Sequence, residues 1–221
     1  MKILLIGGLA LLVVTSCSAQ RNDSPEFFLN TKKKRLAVIL QAADFRPGDT
    51  VVDIGSGNGW FDAMVGIQRD NLTFYLVELN SSILSTEKLK QALDFFEQVK
   101  GKPISCSYTP HIGTAKGTNL PDASCDKILL IDTYHHLAYR DEMIRDMKRI
   151  LKIDGKLIVY EPIARKPKEI LKRCNSEVYT ADHIISSFES NGLHVGEIYK
   201  TVNNNGKKVR VFTFRKDPAA L

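Results

Sequence analysis

The stretch Val51-Val52-Asp53-Ile54-Gly55-Ser56-Gly57-Asn58-Gly59-Trp60 constrains this chain more than any other. A short apolar run ends in an acid, and three glycines follow at alternate positions. The run reads as a buried strand, and the glycines as a turn that brings backbone close to a ligand. Gly55 can take the positive φ of a tight turn, and Gly57 leaves no Cβ between backbone and ligand. Gly59 lets the next helix, opening near Asn58, pack against the strand and present unpaired N–H groups. The Asp53 carboxylate can read the polar end of a ligand, or cap that helix. A dinucleotide fingerprint would read Gly-x-Gly-x-x-Gly with an acid about 20 residues later. Here the third glycine comes one residue early, and Asp53 stands two residues before the first.

Three further blocks follow in order. Thr73-Phe74-Tyr75-Leu76-Val77-Glu78 reads as a second strand ending in a carboxylate, whose two adjacent acceptor oxygens suit a pair of hydroxyls. Leu120-Pro121-Asp122-Ala123-Ser124-Cys125-Asp126 leads into Lys127-Ile128-Leu129-Leu130-Ile131-Asp132 and then Thr133-Tyr134-His135-His136-Leu137. Arg149 to Pro162 reads as a helix end, a Gly155 turn and a strand closing on Glu161-Pro162. Together these blocks resemble the class I S-adenosylmethionine-dependent methyltransferases over about Leu36 to Phe214.

The resemblance implies an α/β Rossmann-like fold: a seven-stranded, mostly parallel sheet, helices on both faces and an antiparallel C-terminal hairpin. It implies S-adenosylmethionine as cofactor, held by Asp53, Gly55, Ser56, Gly57, Asn58, Gly59 and Glu78, with Glu78 on the ribose hydroxyls. His135 and His136 are the candidate catalytic bases, since imidazole titrates in the useful range; adjacent residues face different ways, so one at most reaches the acceptor. Asp132, Tyr134 and Glu161 fall on the substrate side, where Tyr134, like Trp60, can stack on ligand or simply pack. Two departures stand out. No acid follows the third strand at Ser105 to Pro110, which leaves adenine to backbone groups and apolar contacts, and Cys125 replaces the family's usual aromatic residue.

Periodicity agrees with that architecture. Helical spacing runs over Glu26 to Ala43, Asn58 to Arg69, Ser82 to Val99 and Tyr139 to Leu151. Alternation with strands implies a parallel sheet covered on both faces, with ligands beyond the carboxyl ends of the strands. Val195 to Val202 and Lys208 to Arg215 flank Asn203-Asn204-Asn205-Gly206, a hairpin signal.

Met1 to Ser16 reads as a signal peptide, with Lys2 before an apolar run from Ile3 to Val14. Val14-Thr15-Ser16-Cys17 resembles a lipobox, making Cys17 the lipidated first residue of a membrane-anchored, periplasm-facing bacterial lipoprotein, with Ser18 giving no inner-membrane retention signal. A related signal-peptide-bearing group carries a block like "DxYHE", which Asp132 to His136 resembles with His136 in place of Glu. The alternative is a cytoplasmic protein. Residues 17–25 are expected as a linker and 26–221 as one domain. Losing Lys2 takes the basic count from 31 to 30 against 25 acids, for a net charge of +5 rather than +6. That balance and its even spread exclude a nucleic-acid footprint. The run Lys32-Lys33-Lys34-Arg35 reads as a solvated helix end, or as a contact to anionic headgroups. Three cysteines remain, so no complete disulfide framework is expected, and no Cys-x-x-Cys or His/Cys spacing marks a metal site. The expected activity is methyl transfer to a small or lipid-like acceptor, the alternative being a tethered lipoprotein that binds a nucleoside-like ligand without turnover.

Overall fold

The computed structural model describes residues 25–172, 174–202 and 208–217. The signal segment, Cys17, the linker up to Ser24 and the Asn-Gly turn at 203–206 lie outside them. Helix α1 (Pro25–Ala43) is followed by β1 (Thr50–Ile54), α2 (Trp60–Gly66), β2 (Thr73–Glu78), α3 (Thr86–Lys100) and β3 (Ser107–Ile112). Then come β4 (Cys125–Ile131), a 3-10 turn (Tyr134–His136), α4 (Arg140–Ile150) and β5 (Leu151–Pro162). The chain ends through β6 (Glu169–Leu171), β7 (Ser176–Val178), α5 (Ala181–Glu189), β8 (Leu193–Val202) and β9 (Lys208–Lys216).

Seven strands form one sheet in the order β3-β2-β1-β4-β5-β9-β8. β1 to β5 pair in parallel, while β9 runs antiparallel to both β5 and β8. This is the expected Rossmann-like sheet with its antiparallel C-terminal pair. Side chains alternate along each strand, which splits the interior into two layers. Val51, Phe74, Leu129 and Ile158 face α1, α2 and α3. Val52, Ile128, Leu130, Val159 and Phe212 face α4 and α5. Ser85 caps α3 by accepting from the Lys88 N–H at 3.3 Å, and Gly101 ends it in the left-handed region.

Three details depart from the expected layout. α2 ends at Gly66, three residues before the expected Arg69. A small antiparallel hairpin, β6–β7, sits outside the main sheet between β5 and α5. The basic run lies within α1 and is not a wholly solvated end: Lys33 and Lys34 are exposed, but Arg35 turns inward. Among the described residues, no helix is long and apolar enough to cross a membrane.

Candidate functional site

The carboxyl ends of the parallel strands bring the predicted residues to one rim. β1 and β2 are in register with Asp53 opposite Leu76 and Ile54 opposite Val77, so the turn after β1 abuts Glu78. The N–H groups of Gly55 and Ser56 both donate to the Val77 carbonyl, at 2.9 and 3.3 Å. Glu78 fastens the turn from its other side: Oε1 accepts from the Gly57 N–H at 2.7 Å and Oε2 from the Leu79 N–H at 3.2 Å. Burial raises the Glu78 carboxyl above its ordinary range, against those two N–H donors.

The glycines have distinct roles. Gly55 has φ +77°, and a Cβ there would lie 2.5 Å from Thr133 Oγ1. Gly59, also at +77°, would meet Leu89 at 2.8 Å. Gly57, at φ +61°, would meet nothing within 4 Å. Gly55 and Gly59 therefore serve packing, while Gly57 offers bare backbone to open space. Asn58 is exposed on the turn, and the Ser56 hydroxyl is buried with no hydrogen-bond partner among the described residues.

Asp53 is 2% exposed and lies against Asp62, which is fully buried in the first turn of α2. Oδ1 of Asp53 and both carboxyl oxygens of Asp62 have no N–H or O–H donor among the described residues. A proton shared between the two carboxyls would serve one oxygen of each. Burial pushes the Asp53 carboxyl up to about 7, with Asp62's hydrogen bond working downward and the Glu78 charge upward. Asp62 is held well above the carboxylate range by burial and by its neighbour. Asp53 is therefore only partly ionised at neutral pH, and a cation arriving beside it favours the charged form. Asp62 escapes sequence reading because it stands among Trp60, Phe61, Ala63 and Met64. A charge inside so apolar a helix is the signal that could have marked it.

The far side of the rim is closed by α1. Arg35 donates to Asp132 at 2.5 Å, and its guanidinium stacks 4.6 Å over the Tyr160 ring. Asp132 sits in the left-handed region at φ 53°, where it turns the chain from β4 into the 3-10 segment. The two histidines separate as adjacency requires. His135 is buried, its Nδ1 hydrogen-bonded to the fully buried Glu161 and its Nε2 3.5 Å from Cys174 Sγ. Burial works against a charged His135, but Glu161 and Cys174 outweigh it and raise its pKa. His136 is exposed, with Nδ1 3.4 Å from Ser176 Oγ.

Tyr134 does not stand on the substrate side. It is fully buried, edge-on to Tyr179 and tilted against Phe188, and so belongs to the layer under α5. Trp60 likewise stacks on Phe95 at 5.5 Å. No acid follows β3, but Leu79 and Ile112, at the ends of β2 and β3, are exposed apolar side chains on that edge.

Residues 52–159 match the family described as a methyltransferase domain. The chain is 28% identical over 160 residues to the ubiquinone/menaquinone biosynthesis C-methyltransferase UbiE of Shewanella woodyi, covering 72% of this chain and 59% of that one. It is 29% identical over 163 residues to UbiE of Shewanella frigidimarina, with the same coverage. The chain thus spans less than two thirds of the length of these relatives. Among solved structures, a SAM-dependent methyltransferase from Aquifex aeolicus is similar with a TM-score of 0.63 at 18% identity, over 87% of this chain and 94% of that one. The [4+2]-cyclase SpnF is similar with a TM-score of 0.65 at 14% identity, over 83% and 80%. A cationic, ribose-bearing ligand fits the orphaned Asp53 oxygen, the open backbone at Gly57 and the paired acceptors of Glu78. The chain has the fold of the solved methyltransferases it is similar to, and its residues 52–159 match the methyltransferase domain.

Proposed function

We propose that the protein is an S-adenosylmethionine-dependent methyltransferase that methylates carbon in a small or lipid-like acceptor. The observation that carries this reading is the cradle of Asp53, Gly57 and Glu78, which pairs an unsatisfied buried acid with bare backbone and a two-oxygen acceptor. Asp53 would hold the cationic amino acid end of the methyl donor, and Glu78 its ribose hydroxyls. Leu79 and Ile112 supply apolar contact for adenine, in place of the acid that β3 lacks. The donor, when bound, supplies a methyl group already activated by a positive sulfur, so the chain's task is alignment and exclusion of water. Arg35 on Asp132 closes the acceptor side of the rim and fixes its floor. The choice of carbon rests on the similarity to UbiE.

A proton on an acceptor carbon must also be removed. His135 is buried between Glu161 and Cys174, and His136, though exposed, has its Nδ1 beside Ser176 Oγ. This arrangement favours a second reading, binding of the nucleoside-like ligand without methyl transfer, and the fold shared with a [4+2]-cyclase agrees that the architecture alone does not fix the reaction.

Calorimetry of the folded domain separates these readings. Binding of S-adenosylmethionine and its demethylated product at micromolar concentrations is expected. No heat with either at millimolar concentration would remove the enzyme reading, whereas binding with no turnover over a panel of quinol-like and phenolic acceptors would favour the second. We further propose that Cys17 carries a lipid anchor and that the mature protein is exported. Metabolic labelling with palmitate should mark the wild type and not Cys17→Ala; equal labelling of both would remove the anchor.

A further inference from the structure

The hairpin β6–β7 stands outside the sheet, and its connecting loop brings Cys174 against the 3-10 turn that follows β4. There Cys174 meets both histidines: ligand-capable atoms of His135, His136 and Cys174 lie within 4.8 Å of one another. Cys174 is 39 residues from His135, so no spacing along the chain could announce this group.

Three features make it more than a chance meeting of polar side chains. The first is tautomer. Glu161, fully buried at the end of β5, accepts from His135 Nδ1. That fixes the proton on Nδ1 and leaves the Nε2 lone pair aimed at sulfur, the carboxylate–histidine arrangement that orients imidazole ligands on metals. The second is distance. A tetrahedral ion bound at about 2.3 Å to sulfur and about 2.0–2.1 Å to nitrogen holds those two atoms about 3.6 Å apart. The Cys174 Sγ to His135 Nε2 separation is 3.5 Å. The third is access. His136 is exposed, its ring tilted 41° against that of His135 at 4.1 Å, with Ser176 Oγ beside its Nδ1. Its ring lies at the surface, outside the buried core.

We propose that His135, His136 and Cys174 form a binding site for a single transition-metal ion of the zinc class, oriented by Glu161. One thiolate and two imidazoles make a borderline-soft donor set, which selects zinc-class ions over magnesium or calcium. Three protein ligands leave a fourth position for water. Binding displaces the thiol proton, which otherwise sits between sulfur and Nε2, and releases it to solvent. The site shares no residue with the Asp53–Glu78 cradle, so it stands or falls independently of methyl-donor binding.

The test uses the folded protein stripped of metal with a chelator and titrated with Zn²⁺ and with Co²⁺ as a spectroscopic probe. One equivalent of Zn²⁺ should bind, and the Co²⁺ form should show a thiolate-to-cobalt charge-transfer band in the near ultraviolet. That band should vanish in Cys174→Ser and persist in Cys106→Ser. Glu161→Gln should weaken Zn²⁺ by about 10- to 100-fold, the usual cost of losing such an orienting carboxylate. His136→Ala, at an exposed position, tests the site without touching the core and should weaken Zn²⁺ as well. Far-ultraviolet circular dichroism and thermal unfolding of the same preparations show whether each variant is still folded. Substoichiometric Zn²⁺, a Co²⁺ spectrum without the thiolate band, or unchanged affinity in both Cys174→Ser and His136→Ala would overturn the site. A thiol alkylation rate that rises with His135 intact while no metal binds would likewise overturn it, in favour of a simple Cys–His–Glu hydrogen-bond relay.

Discussion

Affinity for S-adenosylmethionine is expected to fall by about 10²-fold between pH 8 and pH 5. The cause is the buried pair Asp53 and Asp62. With its carboxyl pushed up to about 7, Asp53 is charged at pH 8 but carries a proton in about 99 of 100 molecules at pH 5. Only the charged form can hold the donor's ammonium, so below neutrality binding must first expel a proton. Calorimetry in buffers of different ionisation enthalpy should therefore report about one proton released near pH 6 and almost none at pH 8. The groups facing Asp53 are Asp62 from α2 and Glu78 from β2, and Asp62→Asn and Asp62→Ala isolate their shares. Asp62 lowers Asp53 through its hydrogen bond, so Asp62→Asn, which keeps a donor, should leave the acid limb near its place, whereas Asp62→Ala, which removes the donor, should move it up. A flat profile in the wild type, or an acid limb that Asp62→Ala leaves unmoved, would refute the assignment of Asp53.

The same pair fixes the sign of a stability effect in the ligand-free protein. Most buried acids in ion pairs have lowered pKa values and stabilise the fold as pH rises. Here the folded pKa lies above the unfolded value of about 3.9. Between about pH 4 and 7 the folded state thus holds more protons than the unfolded one, and unfolding free energy drops as pH rises. The slope approaches about 1.4 kcal/mol per pH unit for each proton retained. A ligand-binding site that stores such a penalty is least stable when empty at neutral pH.

What can be read from sequence is local, and what cannot depends on how helices are phased and crossed. Asp53, the glycines and Glu78 declare themselves because chemistry and position coincide: each acid sits at or near the end of an apolar strand, next to a turn. The parallel sheet and its antiparallel C-terminal pair are legible for the same reason. Asp62 is not, since its meaning comes from the helical phase that turns it back onto β1. Arg35 looks solvated within a run of lysines, and only the path of α1 across the rim brings it to Asp132, 97 residues away. β6 and β7 have three residues each, too few for a period of two to register, so the loop that delivers Cys174 is invisible in the sequence. Tyr134 misleads because a 3-10 turn sends one ring inward where an extended loop would have sent it toward ligand.

Glu78→Ala should weaken S-adenosylmethionine by about 10²- to 10⁴-fold, while Glu78→Gln weakens it by about 10-fold. Two losses combine in the alanine variant. Each hydrogen bond from a ribose hydroxyl to a charged acceptor contributes about 1.5–3 kcal/mol, and both go at once. The Gly57 N–H also loses its acceptor at 2.7 Å, and with it the tie that holds open backbone at the ligand's position. The side chain introduced by Glu78→Gln retains one oxygen for Gly57 and places an amide beside the ribose, so the turn keeps its shape while one acceptor and the charge are lost. The ordering of the two variants carries the argument. Were Glu78 only a structural tie, glutamine would restore wild-type affinity, and were it only a ribose ligand, alanine would leave the turn unchanged. Hydrogen exchange at the Gly55 to Gly59 amides separates these cases: faster exchange in Glu78→Ala and wild-type protection in Glu78→Gln are expected. Equal affinity in all three proteins would show that the ribose lies elsewhere on the rim.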